Sequence, residues 1–396
     1  MQSKKLSIGL GATLAILVLT FLAAGTRAVT QQEKLLYDFC SLKNCFDGSY
    51  PYAGLIVDPA GNLYGTTQYG GAHDVGTVFE LTPKAGGGWK EKVLYAFNDN
   101  GKDGLYPYAG VINAAGNLYG TTYTGGAHHG GTVFELKPKE GGGWTEKVLH
   151  SFGDGKDGAS PHAALIIDAA DNLYGTTVFG GADGSGTVFE LTPKAGGEWA
   201  DKVLHSFGRG KDGASPYAGL IADAAGNVYG TTTDGGAGGL GTVFELTKRD
   251  GKWAEKMLHS FNGKDGEHPY ASLVFDGSGN LYGTTEETIF ELTHEAGGRW
   301  KEKVLHNSGS TASLIFDTAG NLYGTTIYGG IQDAGTLFEL TRKVGGEWTY
   351  TTLFDFMDLF GMYPSGGLAL GAKGSMYGTT YEGGTHNVGT VFEFTH

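Results

Sequence analysis

The sequence predicts an all-β protein: a seven-bladed β-propeller of four-stranded blades, closed by the N-terminal strand completing the last blade. Three observations predict it. The 396-residue chain carries 71 Gly, 10 Pro and 12% aromatic residues, a composition that disfavours long helices because each interior Gly costs about 1 kcal/mol relative to Ala. One unit recurs seven times along the chain. The two ends hold complementary fragments of that unit.

The unit is defined by Tyr-Gly-Thr-Thr, with Gly at 65, 120, 175, 230, 283, 324 and 378, and by Gly-Thr-Val-Phe-Glu-Leu, with Thr at 77, 132, 187, 242, 288, 336 and 390. A third motif, Glu-Lys-Val-Leu-x-x-Phe, follows at 91–97, 146–152, 201–207 and 255–261 and in degraded form at 302–306 and 350–356. In copy two the expected strands are Ala109–Ile112, Asn117–Thr122, Thr132–Lys137 and Thr145–Phe152. Asp58-Pro59-Ala60-Gly61-Asn62 and Lys84-Ala85-Gly86-Gly87-Gly88 supply turn chemistry between them. Four short strands per unit of 40–55 residues is a propeller pattern. The segment 33–39 reads as a fourth strand without its first three, and 390–395 as a third strand without its fourth. Joining them closes the ring and removes exposed edges.

Residues 1–28 read as a signal peptide, with Lys4 and Lys5, an apolar run from Leu6 to Ala24 and a cleavage site near Ala28; a retained anchor is the alternative. Residues 29–396 are then one propeller domain, secreted, extracellular or periplasmic, with no further membrane span and a monomeric state expected. The 28 basic and 42 acidic residues give a net charge of −14, and loss of Lys4, Lys5 and Arg27 takes it to −17. With no basic cluster, nucleic acid is disfavoured as a partner. Cys40 and Cys45 are expected to form a local disulfide, as an exported chain favours.

These motifs closely resemble the GloVer-type (Gloeobacter–Verrucomicrobia) tandem-repeat proteins, over essentially all of 33–396. The resemblance implies a secreted or surface-displayed propeller. It brings no catalytic residues, and no anchoring domain is expected after the repeats. The Asp-x-Ala-Gly-Asn-Leu-Tyr segment is more distantly similar to gluconolactonase-type propellers.

Residues present in every copy are read as scaffold. Glu80 and its six equivalents are expected to pair across strands with Lys92-type residues. Asp58, Asp168, Asp223, Asp276 and Asp317 read as turn acids, and the Lys-Asp-Gly segments as turns rather than calcium sites. Tyr52, Tyr108, His162, Tyr217 and Tyr270 follow the proline that opens the first strand in copies one to five. They either line the channel mouth or pack between blades.

Function is sought where the copies differ, on the long loops of one face. The candidates there are Tyr69, His73, Tyr123, His128, His129, Phe179, Asp183, Asp234, Tyr328, Tyr381 and His386. Copy five loses its Gly-Gly-Ala loop, passing through Glu286 and Glu287, and copy six loses its Asp-Gly-x-x-Pro-Tyr segment after His306 and Asn307. Those four residues are expected to edge a notch in the rim, or the deletions are drift in a scaffold. A binding or scaffold module for an extracellular carbohydrate or protein, with no cofactor and no metal, fits best. The alternative is a metal-dependent, lactonase-like enzyme with an axial site, although the inner segments offer no convergent carboxylates.

Overall fold

The computed structural model describes residues 32–208, 211–307 and 312–396. The leader read in 1–28, with its cleavage near Ala28, lies outside the described residues. The described residues form seven four-stranded antiparallel sheets, six of them each drawn from one stretch of the chain. In blade one these are Ile56–Val57, Leu63–Thr67, Thr77–Pro83 and Trp89–Ala96. Blade seven takes Ala369–Leu370, Met376–Thr380 and Thr390–Thr395 from the C-terminus. Its fourth strand is Gln32–Asp38, paired antiparallel with Thr390–Thr395, so the ring closes as predicted. No helix among the described residues is long and apolar enough to cross a membrane.

The first strand of each blade is shorter than expected. In copy two it spans Ile112–Ala114, not 109–112. Ala109 and Val111 are buried, yet their segment is too close to its neighbours to sit in a ladder. A Cβ on Gly110 would lie 2.6 Å from the Gly54 carbonyl oxygen, and one on Gly54 would lie 2.5 Å from that of Gly367. Ser272 Oγ accepts from the Gly219 amide at 3.0 Å, and Ser313 Oγ from the Ser272 amide at 3.2 Å. The innermost segments of adjacent blades therefore touch through Gly and Ser, which leave room for backbone to approach backbone.

The recurring Tyr-Gly-Thr-Thr motif explains itself residue by residue. The Gly lies beneath the Phe of the third strand: a Cβ at Gly175 would stand 2.6 Å from the Phe189 ring. The first Thr hydroxyl donates to the inner segment of the next blade, as Thr66 to the Ala109 carbonyl at 2.8 Å and Thr379 to that of Ala53 at 2.8 Å. The second Thr pairs with the first Thr of the third strand, as in Thr67 with Thr77 at 2.8 Å.

The Tyr is the largest departure from the expected scaffold. Tyr174 donates to Glu190 at 2.9 Å, and the equivalent phenol–carboxylate contact recurs in every blade. The expected cross-strand ion pair forms at Glu190–Lys202 and Glu245–Lys256, both at 3.9 Å, and at Glu393–Lys34 at 3.6 Å. The buried phenol holds the glutamate more closely, because a nearly exposed lysine gains little from such a pair. Asp168 behaves as a turn acid, accepting from the Ala170 and Asn172 amides at 2.8 and 2.9 Å. Those bonds and that of the Asn172 side chain hold its carboxyl below the ordinary range against the opposing effect of desolvation.

Each hydrophobic cluster spans two blades; one joins Tyr64, Val78 and Phe97 of blade one to Leu118 and Phe134 of blade two. In six of the seven copies a Phe just after the fourth strand meets the third-strand Phe of the next blade, as Phe97 with Phe134 at 5.2 Å and Phe39 with Phe79 at 5.1 Å, both edge-on. Such pairs add to area burial.

Gly175→Ala should destabilise the fold by about 1–3 kcal/mol, because the new methyl overpacks against a buried ring. Gly277→Ala has open space around it and serves as the control, with an expected change within about 0.5 kcal/mol. Urea unfolding of the two variants measures this; equal midpoints would contradict the packing account.

Candidate binding face

The loops leading into blades one to five end in a proline, an aromatic residue and the small inner segment; copy seven has Ser365 after its proline, and copy six lacks the proline. Tyr52 and Tyr108 have ring centroids 5.4 Å apart, Tyr108 and His162 5.0 Å, His162 and Tyr217 5.2 Å, and Tyr217 and Tyr270 5.5 Å. Tyr52 also reaches His162, two blades away, at 5.6 Å. The five residues thus form one connected group of rings across blades one to five.

Three long-loop candidates join them. Tyr123 lies 5.1 Å from Tyr108, and Tyr381 6.0 Å from Tyr52. Gln68 bridges the two sides, donating from Nε2 to the Tyr108 hydroxyl and accepting from that of Tyr381 at 3.2 Å. Tyr69 enters through Tyr50, which lies 5.8 Å from it and 5.0 Å from Tyr381. Tyr106 extends the arc, 5.4 Å from Tyr69. Sequence reasoning did not single out Tyr50, Tyr106 or Gln68. The available signal was that the residue before the proline and the one after Tyr-Gly-Thr-Thr change from copy to copy.

Burial pushes the His162 imidazole down to about 4, so it is neutral at pH 7. Burial, then neighbouring phenols, pushes Tyr108 up to about 12. The field is therefore uncharged at its centre. Acid enters at one side: Asp234 and Glu286 help to raise the Tyr270 phenol, after burial.

The remaining candidates lie elsewhere. His73, His128, His129 and His386 are exposed, and among the described residues no ring contact joins them to the tyrosines. Phe179 is exposed on its loop, and Tyr328 packs its ring 5.7 Å from Tyr363. Glu286, Glu287 and Asn307 do border one cleft, of about 420 Å³, together with Lys264. His306 does not belong to it: its ring stacks on Tyr350 at 4.0 Å. That stack fills the junction where the fourth-strand Phe is missing from copy five. Cys40 and Cys45 form a disulfide. Among the described residues, no group of three or more His, Cys, Asp or Glu is placed to hold a metal ion.

A larger cleft of about 510 Å³ lies between blades two and three, lined by His128, His150, Asp154, Asp157 and Asp201. His150 Nε2 lies 3.1 Å from Asp157 Oδ2. The arrangement recurs as His205–Asp212 at 2.9 Å and His259–Asp265 at 3.2 Å, and with a phenol as Tyr95–Asp103 at 2.8 Å. The Lys-Asp-Gly segments are thus anchored to the fourth strands. A carboxyl of the next blade faces each aspartate, as Glu146 faces Asp103. Repetition at successive junctions marks these groups as scaffold.

In sequence, the chain matches the Gloeobacter/Verrucomicrobia repeat family over residues 27–221 and 140–311. No curated protein matches it in sequence. In structure it is similar to the virginiamycin B lyase of Staphylococcus aureus, at 10% identity, TM-score 0.54, covering 92% of this chain and 99% of that one. It is also similar to a candidate 6-phosphogluconolactonase from Bacteroides uniformis, at 12% identity, TM-score 0.54, covering 82% and 88%. An ancestral GH74 enzyme aligns at 12% identity, TM-score 0.55, over 87% of this chain and 47% of its own. At these identities the likeness is one of fold.

The junction carboxyls predict a pH dependence. Burial pushes Glu91, Glu146 and Glu302 up to about 7 and Glu33 to about 8, from 4.5 when unfolded. Their contribution to stability is full below 4.5 and is lost as pH rises through 7–8. His162, His259 and His306 are lowered by burial, so theirs is present above 6.5 and lost on acidification. The thermal midpoint should therefore fall between pH 6 and pH 8.5, and Glu91→Gln should flatten that fall. A midpoint that rises over this interval would contradict the assignment.

Proposed function

The chain belongs to the Gloeobacter/Verrucomicrobia repeat family, and from that premise and the geometry of the mouth we propose that its long-loop face binds an extracellular carbohydrate. One observation carries this reading: the tyrosine and histidine rings at the mouth form one continuous surface across several blades. Flat rings offer apolar faces to the C–H faces of a sugar, and the phenols and Gln68 offer donors and acceptors for its hydroxyls. The uncharged centre favours a neutral glycan over an ionic ligand. Export, inferred from residues 1–28, places the face where such a ligand is met, and the Cys40–Cys45 disulfide agrees with an oxidising compartment. The protein acts as a monomeric binding or scaffold module in this reading.

The lactonase-like alternative needs carboxylates converging on the axis. Residues such as Gly54, Gly110, Gly219, Ser272 and Gly367 occupy those positions and bring the backbones into contact.

Native gels cast with soluble neutral polysaccharides (β-glucan, xyloglucan, arabinoxylan and pullulan) test the proposal. At least one should retard the chain, and Tyr52→Ala combined with Tyr108→Ala should weaken retardation about ten-fold or more. Unretarded migration through every gel would overturn the reading. A stoichiometric bound metal together with lactone hydrolysis would favour the alternative.

A further inference from the structure

We infer that the residue immediately before the mouth proline determines the specificity of each of the six blades that have one, an inference that rests on the carbohydrate reading above. These residues are Tyr50, Tyr106, Ser160, Ser215, His268 and Tyr363. All six hold a left-handed backbone, with φ between 49° and 59°. That conformation is uncommon for any residue other than Gly, and for a bulky one it is an outlier.

The strain persists because the surroundings impose it. The Tyr106 amide donates to the Val75 carbonyl of the preceding blade at 2.9 Å, and its carbonyl accepts from the Tyr123 amide of its own blade at 3.1 Å. The Ser160 amide donates to Gly130 at 2.7 Å and its carbonyl accepts from Val178 at 3.2 Å. Tyr363 repeats the pattern with Ala334 and Tyr381, at 2.8 and 3.1 Å. The proline that follows seats its ring on a glycine of the preceding blade: a Cβ on Gly76 would lie 2.5 Å from Pro107 Cδ, and one on Gly131 would lie 2.7 Å from Pro161 Cδ. The two backbone bonds and the proline seat fix the conformation without using the side chain.

The side chain is consequently free to vary, and it does vary while its neighbours stay fixed. Tyr, Ser and His occupy the same backbone in different blades. Tyr50 and Tyr106 use the position to extend the aromatic field, through Tyr69 and Tyr381. Ser160 and Ser215 leave it open beside His162 and Tyr217. His268 turns its ring to the Thr233 carbonyl at 2.8 Å, with Asp234 3.7 Å away. The arc Tyr381–Tyr50–Tyr69–Tyr106, with ring steps of 5.0 to 5.8 Å, is the part of the face suited to successive units of a linear neutral glycan. The occupant of each pre-proline position decides how far that arc extends.

Exchange between copies tests this, because the fold itself shows which substitutions the backbone accepts. The double variant Tyr50→Ser, Tyr106→Ser and the reverse pair Ser160→Tyr, Ser215→Tyr are compared with the unaltered chain in the polysaccharide gels and in thermal unfolding. Both variants should keep the thermal midpoint. The first should bind about ten-fold more weakly, and the second more tightly. If the unaltered chain binds and the first variant binds equally well, the specificity assignment fails while the carbohydrate reading stands. A collapsed midpoint would show that these side chains serve the fold and would overturn the assignment. If the unaltered chain binds none of the polysaccharides, the carbohydrate reading and this assignment fall together.

Discussion

The inner segments of neighbouring blades pack closely, with backbone against backbone where Gly54 meets Gly367 and Gly110 meets Gly54, and the rest of the molecule is arranged around that contact. Only Gly, Ala and Ser leave enough room there, as the 2.5 and 2.6 Å distances from imagined Cβ atoms to neighbouring carbonyls show. A segment packed so closely cannot continue the sheet ladder, so the first strand of a blade is short and begins after it. Its carbonyls, excluded from that ladder, instead accept from the threonine hydroxyls of the preceding blade. Buried carbonyls require such partners. The tyrosines and His162 that follow the prolines gather ring against ring next to these segments in the chain.

The outer half of each blade follows a different rule. There the phenol–glutamate contact, the turn aspartate and the paired His or Tyr with Asp recur from copy to copy. The half-buried carboxyls on the fourth strands recur with them. Burial, and then the facing loop aspartate in most blades, raises their affinity for protons and makes the ring sensitive to pH, yet they distinguish no blade from the next. Ligand discrimination requires asymmetry, and the asymmetry lies on the long-loop face, where Tyr50, Ser160 and His268 occupy equivalent backbone with unlike side chains. Fixing the backbone through its neighbours while releasing the side chain is how a repeated scaffold acquires a non-repeating surface.

Strand number, blade number and closure were legible in the sequence because each motif residue has one steric or hydrogen-bonding duty repeated seven times. The first strand of copy two was misplaced by three residues, since buried Ala109–Val111 has the apolar character of a strand but not its pairing. Glu190 was assigned to lysine because periodicity reveals residues on one strand pair; it does not reveal that the phenol of Tyr174 is the closer partner. Mouth residues after the proline were legible as a group. Tyr50 and Tyr106 were not, because a residue before proline reads as a turn until its φ is known. His306 was placed in the notch for want of seeing its partner. Tyr350 replaces the glutamate of its motif in the copy after the one that lacks the Phe, and that coincidence was the available clue to the stack.

The central claim is that the closed axis leaves the tyrosine-rich long-loop face as the working surface. A crystal structure of the chain with an oligosaccharide of a retarding polysaccharide tests it most directly. The account predicts sugar rings seated on Tyr50, Tyr69, Tyr106 and Tyr108, with Gln68 within hydrogen-bonding distance. Sugar bound at the fourth-strand clefts or the tight-turn face, or a metal ion on the axis, would contradict it.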